Sequence, residues 1–230
     1  MRKSLAVFAI GVLAAATSAV AAAQSKIDIE LNDATQIILG LTGPQSTAGI
    51  PNAVLKDAKC VAVIPKMVKG GLGVGAQHGA GVATCRLANG RWSPPAPFVL
   101  TGASFGMQIG GEEMGYVMMI MNNDGMQALN SGHFKLGAGV NAAAGPVGRD
   151  ADASAGWSAA ILTYARAKGA YAGATLNGDE LNQDHNATKE LYGQEEPFTS
   201  ILDGKVPMPA QGPARTFVET INHAVARAAH

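Results

Sequence analysis

The chain has 230 residues, of which 47% are hydrophobic and 15% charged, with 17 basic side chains balancing 17 acidic ones. This composition excludes a disordered chain, and a net charge of zero makes no case for a nucleic-acid binder. The balance hides an asymmetry: residues 51–100 hold Lys56, Lys59, Lys66, Lys69, Arg86 and Arg91 against the single acid Asp57, while residues 101–230 hold eight basic and thirteen acidic side chains. The basic region could meet an anionic surface, although such charges also fit ordinary solvated faces.

Arg2 and Lys3 form a basic head, an uncharged run follows from Leu5 to Ala23, and the run closes on Ala21-Ala22-Ala23. This predicts a secretory signal over residues 1–23, cut before Gln24, and a mature chain that is periplasmic or secreted. The run is alanine-rich and has no charged stop, which argues against a transmembrane anchor. Residues 24–230 then suit one domain. The most apolar later segment, "FVLTGASFGMQIGGEEMGYVMMIM", is interrupted by Glu112 and Glu113, so it is not expected to span a bilayer.

"DIELNDATQIILGL" sets Ile29, Leu31 or Ala34, Ile37, Ile38 and Leu41 roughly on one helical face, and Gly43-Pro44 stops it. "GIPNAVLKDAK" predicts a short helix with Pro51 in its first turn. "CVAVIP" (60–65) predicts a buried strand that ends at the proline.

The stretch "KGGLGVGAQHGAGVATCR" (69–86) carries six glycines. Gly71, Gly73 and Gly75 alternate with Leu72, Val74 and Ala76, and Gly79 and Gly81 alternate with Ala80 and Val82. Period two belongs to a strand. A phosphate loop would need GxxxxGK[ST] or GxGxxG at a strand-to-helix turn. The first is absent and His78 breaks the second. The reading is strand, turn, strand, with a hairpin around Ala76-Gln77-His78.

Alternation returns in "GASFGMQIG", in "KLGAGVNAAAG" and, more loosely, in "KGAYAGATL". Glycine inside a strand is unfavourable unless another backbone approaches closely or the sheet bends strongly. The expected fold class is therefore α+β: a strongly curved, barrel-like antiparallel sheet of glycine-rich strands, flanked by N-terminal and C-terminal helices. "NDGMQALNSG" predicts a short helix, and "GPARTFVETINHAVARAA" predicts a terminal one with Phe217, Ile221, Val225 and Ala228 at helical spacing.

Cys60 and Cys85 are the only cysteines. In an oxidising compartment one disulfide between them is expected, with two buried unpaired thiols as the alternative. Three patterns imitate catalytic or metal sites. Gly102-Ala103-Ser104-Phe105-Gly106 matches GxSxG, with Asp124 and His185 following in hydrolase order. The alternation runs straight through Ser104, against the sharp turn a nucleophile needs. Asp150-Ala-Asp152-Ala-Ser154-Ala-Gly156 starts like a calcium loop, but its glycine is one place late and Ile161 stands where glutamate belongs. The five histidines show neither HxxxH nor HExxH. No metal and no cofactor is expected.

In order along the chain, "AKCVAVIPKMVKGGLGVGAQHGAGVATCR", "WSPPAPFVLTGASFGMQIGG", "MIMNNDGMQAL", "KLGAGVNAAAGPVGR" and "ILTYARAKGAYAGATLNGDEL" resemble the SYLF family of lipid-binding domains, over about residues 53–203. Lys69-Gly70, Trp92-Ser93 and the turn Gly145-Pro146-Val147-Gly148-Arg149 carry the likeness. The resemblance implies anionic phospholipid as ligand and no catalysis. It makes Lys66, Lys69, Arg86, Arg91 and Arg149 the candidate lipid-binding residues. Lys66 and Lys69 flank one turn and Arg86 and Arg91 bracket the next, "LANG", so that four cations at strand ends could form a rim, each contributing ~1 kcal/mol toward an anionic membrane. The resulting expectation is a non-catalytic envelope protein, peripherally attached to anionic phospholipid. A structural module contacting envelope protein or peptidoglycan is the alternative, and a GxSxG hydrolase comes third. The actin bundling of fungal members does not suit a periplasmic chain, so actin is not expected as a partner.

Overall fold

The computed structural model describes residues 24–42, 49–138, 140–148, 159–167, 170–173, 176–209 and 212–229. Among them the chain runs α1 (Lys26–Thr42), α2 (Asn52–Asp57), β1 (Cys60–Cys85), β2 (Ala96–Ile120), α3 (Asn123–Asn130), β3 (His133–Lys135), β4 (Ala142–Ala144), β5 (Ile161–Ala167), β6 (Ala170–Gly173), β7 (Glu180–Gln183), α4 (His185–Tyr192), α5 (Phe198–Leu202) and α6 (Pro213–Ala228). The seven strands form one sheet in the order β3-β7-β2-β5-β4, with β1 paired to β2 and β6 to β5. Pairing is antiparallel except for the short β4–β5 ladder. The expected class, α+β around a strongly curved sheet, is what forms.

The long β1–β2 ribbon organises the fold. Its register runs from Cys60↔Ile120 to Ala83↔Ala96. Twenty-six residues of straight strand would span about 85 Å. Here the two ends of β1 lie 4.0 Å apart at Cα and are joined by the Cys60–Cys85 disulfide. The strand therefore doubles back. A Cβ on Gly81 would lie 2.5 Å from the Val63 carbonyl oxygen, and one on Gly79 would lie 3.0 Å from that of Lys66. These pairs, like the disulfide, are centred on residues 72–73. Only a residue without a Cβ allows backbones this close, which is the purpose of the alternating glycines.

Two sequence expectations are corrected here. No hairpin turn stands at Ala76-Gln77-His78, because β1 runs through it and Gln77 is buried. Nor does the strand end at Pro65. The ladder slips between Ile64 and Met67 and resumes. A proline has no N–H to donate, so a bulge lets the ribbon pass over it.

Alternation along the strands feeds two cores. Val61, Val63, Val82, Val117, Met119, Leu162 and Tyr164 face one, which α1, α2 and α6 complete with Leu31, Ile38, Leu41, Val54, Phe217 and Ile221. Ala62, Ile64, Phe98, Leu100, Met118, Ile120 and Ile161 face the other, closed by Leu129 of α3 and by Phe198, Ile201 and Leu202 of α5. The helix stripes fall nearly as the periodicity predicts, with one exception: Ile29 is exposed and Ile27 takes its place in the core. None of the helices among the described residues is long and apolar enough to cross a membrane.

Candidate functional site

The disulfide-closed end of the ribbon gathers cations. Arg86 follows Cys85 directly, and its backbone N–H donates to the Lys59 carbonyl at 2.7 Å. Its guanidinium donates to the carbonyls of Lys56 (3.1 Å) and Ala58 (3.4 Å) at the end of α2. There it satisfies oxygens that the last helical turn leaves open. The same group lies 5.0 Å over the Trp92 ring, a planar stack suited to arginine. Trp92 is buried and its indole N–H has no acceptor.

The turn Leu87–Gly90 returns the chain, with the Leu87 N–H donating to the Arg91 carbonyl at 2.7 Å. "LANG" is thus bracketed by Arg86 and an exposed Arg91. Ser93 locks the turn from below. Its hydroxyl accepts from the Cys85 N–H at 3.0 Å and donates to the Pro94 carbonyl at 3.0 Å, while Thr84 donates to the Ser93 carbonyl at 2.7 Å. The Trp92-Ser93 pair is therefore a fastening for the closed end. Lys56 and Lys59, one exposed and one half-buried, join Arg86 and Arg91 through these contacts. The charge asymmetry pointed to both lysines, but only the fold-back of β1 brings them to this end.

The other candidates lie elsewhere. Lys66 and Lys69 sit within β1, six and nine residues from Cys60. At about 3.3 Å per residue, Lys66 is up to ~20 Å from the closed end. Lys69 lies 5.6 Å over the Tyr116 ring and acts on Asp179 electrostatically. Asp179 is 1% exposed. Burial raises its carboxyl above the usual range, opposed by a 2.5 Å hydrogen bond from the Gln77 side chain and by the Lys69 charge. A Cβ on Gly102 would overlap the Asp179 carboxylate, so glycine is required there. Arg149 and the calcium-like stretch 150–156 lie outside the described residues.

Ser104 is mid-strand in β2, opposite Gly75. GxSxG here is a strand pattern and not a nucleophile elbow, which needs a strand-to-helix turn. Asp124 is in the first turn of α3, and His185 opens α4 beside Glu195. Among the described residues no three His, Cys, Asp or Glu side chains cluster to hold a metal ion.

Residues 101–224 match the family described as "Ysc84: Las17-binding protein actin regulator". "LAS seventeen-binding protein 3" of Saccharomyces cerevisiae is 32% identical over 201 residues, covering 83% of this chain and 44% of the relative. "SH3 domain-containing YSC84-like protein 1" of Mus musculus is 32% identical over 205 residues, covering 86% and 59%, and its Homo sapiens counterpart is 31% identical over 194 residues, covering 81% and 56%. The chain spans about half the length of the curated relatives it matches. The partner expectation, a membrane surface or envelope protein with actin set aside, is corrected by these names, which are those of an actin regulator and Las17-binding proteins. A curved sheet built on a glycine-rich ribbon, carried by a sequence that matches over more than half its length, makes this chain a member of the Ysc84, or SYLF, family.

Proposed function

We propose that this chain is a non-catalytic docking module that engages an actin-regulatory protein partner through the basic end of its ribbon. The observation that carries the proposal is the gathering of Lys56, Lys59, Arg86 and Arg91 around a rigid, disulfide-closed turn. The relatives are named as binding proteins and regulators, which supports a role without chemistry. A pre-ordered cationic patch speeds association with an acidic protein surface and makes it sensitive to salt. Arg86 is already anchored, so little side-chain entropy remains to be lost on docking.

The test is co-sedimentation with actin filaments, alone and with Las17, the protein the relatives are named for binding, across ionic strength. Exposed Lys56 and Arg91 are replaced together by glutamate. Binding should fall at least tenfold, while stability changes by no more than about 0.5 kcal/mol per site. Unchanged binding of the double variant would remove the basic end from the function.

A further inference from the structure

The chain contains two Asn-Gly pairs, Asn89-Gly90 and Asn177-Gly178. Both glycines take positive φ, 80° and 92°, with open space where a Cβ would stand, and both pairs are exposed. Their backbones are held differently. Asn89-Gly90 forms the tip of the turn at the basic end, where Ala88 and Arg91 are exposed as well. The Gly90 N–H donates to the Leu87 carbonyl at 2.9 Å, a bond within the turn itself. The Asn89 side-chain oxygen accepts from the Arg91 N–H at 3.0 Å. Asn177-Gly178 is stapled to the chain beyond β3. The Gly178 N–H donates to the Leu136 carbonyl at 2.8 Å and the Leu136 N–H to the Asp179 carbonyl at 2.8 Å, while buried Leu176 and Asp179 flank the pair.

An asparagine side chain before glycine is open to attack by the next backbone nitrogen, because no Cβ shields that nitrogen. Three features favour the attack at Asn89. The Arg91 N–H already sits on the amide oxygen, where negative charge develops as Cγ becomes tetrahedral. Arg86 and Arg91 bracket the turn, and their charge favours loss of the Gly90 amide proton. Freeing the Gly90 nitrogen breaks one surface bond and uncovers no core, so little free energy opposes it.

We propose that Asn89 is a self-modifying site, at which the folded protein converts a neutral amide into a carboxylate amid its cations. The deprotonated Gly90 nitrogen bonds to Asn89 Cγ, the Cγ–Nδ2 bond breaks, and ammonia leaves with a proton from water, closing a five-membered imide. Water then adds to one imide carbonyl and opens the ring to aspartate or isoaspartate. The sum is an amide plus water giving a carboxylic acid and ammonia, with no oxidant or reductant. The product places a negative charge between Arg86 and Arg91. An isoaspartate also lengthens the backbone of a turn closed by the Leu87 N–H on the Arg91 carbonyl. Both changes weaken docking of an acidic partner. That consequence rests on the function proposed for the basic end, whereas the covalent step does not.

The intact, oxidised protein is incubated in mildly alkaline buffer, and the peptides carrying the two pairs are followed by mass spectrometry, each event adding about one dalton. Asn89 should react about ten times faster than Asn177, or more, with isoaspartate, the mark of the imide route, among its products. In the reduced, unfolded chain the two pairs should react at similar rates. Gly90→Ala should slow the reaction at Asn89 about tenfold or more, and circular dichroism checks that this variant folds. Equal rates in the folded protein, the same ratio of rates folded and unfolded, or aspartate without isoaspartate would each overturn the proposal. Asn89→Asp then reads the consequence, and its co-sedimentation should fall about threefold or more. If it binds normally while Lys56→Glu with Arg91→Glu does not, the charge change at Asn89 controls nothing and the inference falls to that extent. If both variants bind normally, the function proposed for the basic end fails and the covalent site stands on its chemistry.

Discussion

At its closed end the β1–β2 ribbon is held by contacts that span no more than 30 positions: Cys60 to Cys85, Thr84 and Cys85 to Ser93, Arg86 to the end of α2. Farther in, it is held by a contact between side chains 102 positions apart, Gln77 on Asp179, in a space that only Gly102 leaves open. A covalent closure lets the surrounding surface carry charged, solvated side chains that are free to take part in binding. The inner stretch has no such tie and depends on steric fit and on a buried polar pair, so it has little latitude for change. This contrast predicts that inner substitutions act on stability and that substitutions of exposed closed-end cations act on binding.

The largest expected effect is at Gly102. Gly102→Val forces a side chain into the Asp179 carboxylate and breaks its bond with Gln77, costing about 3–4 kcal/mol. Chemical denaturation measures it, and a loss below 1 kcal/mol would show that the inner stretch adapts after all. Next, Cys60→Ser with Cys85→Ser should cost roughly 3 kcal/mol, the loop-entropy expectation for a bridge of this span. The basic end should then lose affinity as well as stability. Retained affinity would show that Arg86 and Ser93 close that end unaided.

Gln77→Leu should destabilise by about 2 kcal/mol, because Asp179 is left buried with neither oxygen bonded. Replacing both Gln77 and Asp179 by leucine should recover part of that loss. Failure of the double variant to recover would assign the cost to shape rather than to the unpaired carboxylate.

The smallest effect is a pH dependence at Glu30. Burial raises its carboxyl from 4.5 to about 7 in the folded chain, so between those values the folded state holds the proton more tightly than the unfolded state. Stability from this group is therefore fully present below pH 4.5, falls as the pH rises to about 7, and is flat above. Glu30→Gln removes the ionisation and should stabilise the dilute protein by about 1–2 kcal/mol at pH 8, with little change at pH 4. Thermal unfolding at the two pH values checks the sign, and an equal shift at both would rule out titration of Glu30.

The site was legible in unequal parts. Arg86 and Arg91 bracketing "LANG" could be read from a turn signal between two strands, and that turn forms. The grouping of Lys56 and Lys59 with them could not, because it depends on where β1 ends after doubling back. Lys66 and Lys69 were read as flanking a turn, yet they lie inside a strand. Pro65 suggested a stop, and the ribbon accommodates it by slipping register. Gln77 was assigned to a hairpin tip because Ala-Gln-His interrupts the glycine alternation. Its burial against Asp179 carries no local signal.

Local physics in the sequence determined the helices and the strand alternation, through spacing at periods of 3.6 and two. It also determined that the sheet must bend, because strand glycines need close backbones to offset their entropy. Composition determined the basic region, and the two cysteines suggested their own pairing. Tertiary structure alone decided where the long strand folds back, which charges share a surface and which carboxylates are buried. Those outcomes depend on contacts between residues far apart in the chain, which no local spacing encodes.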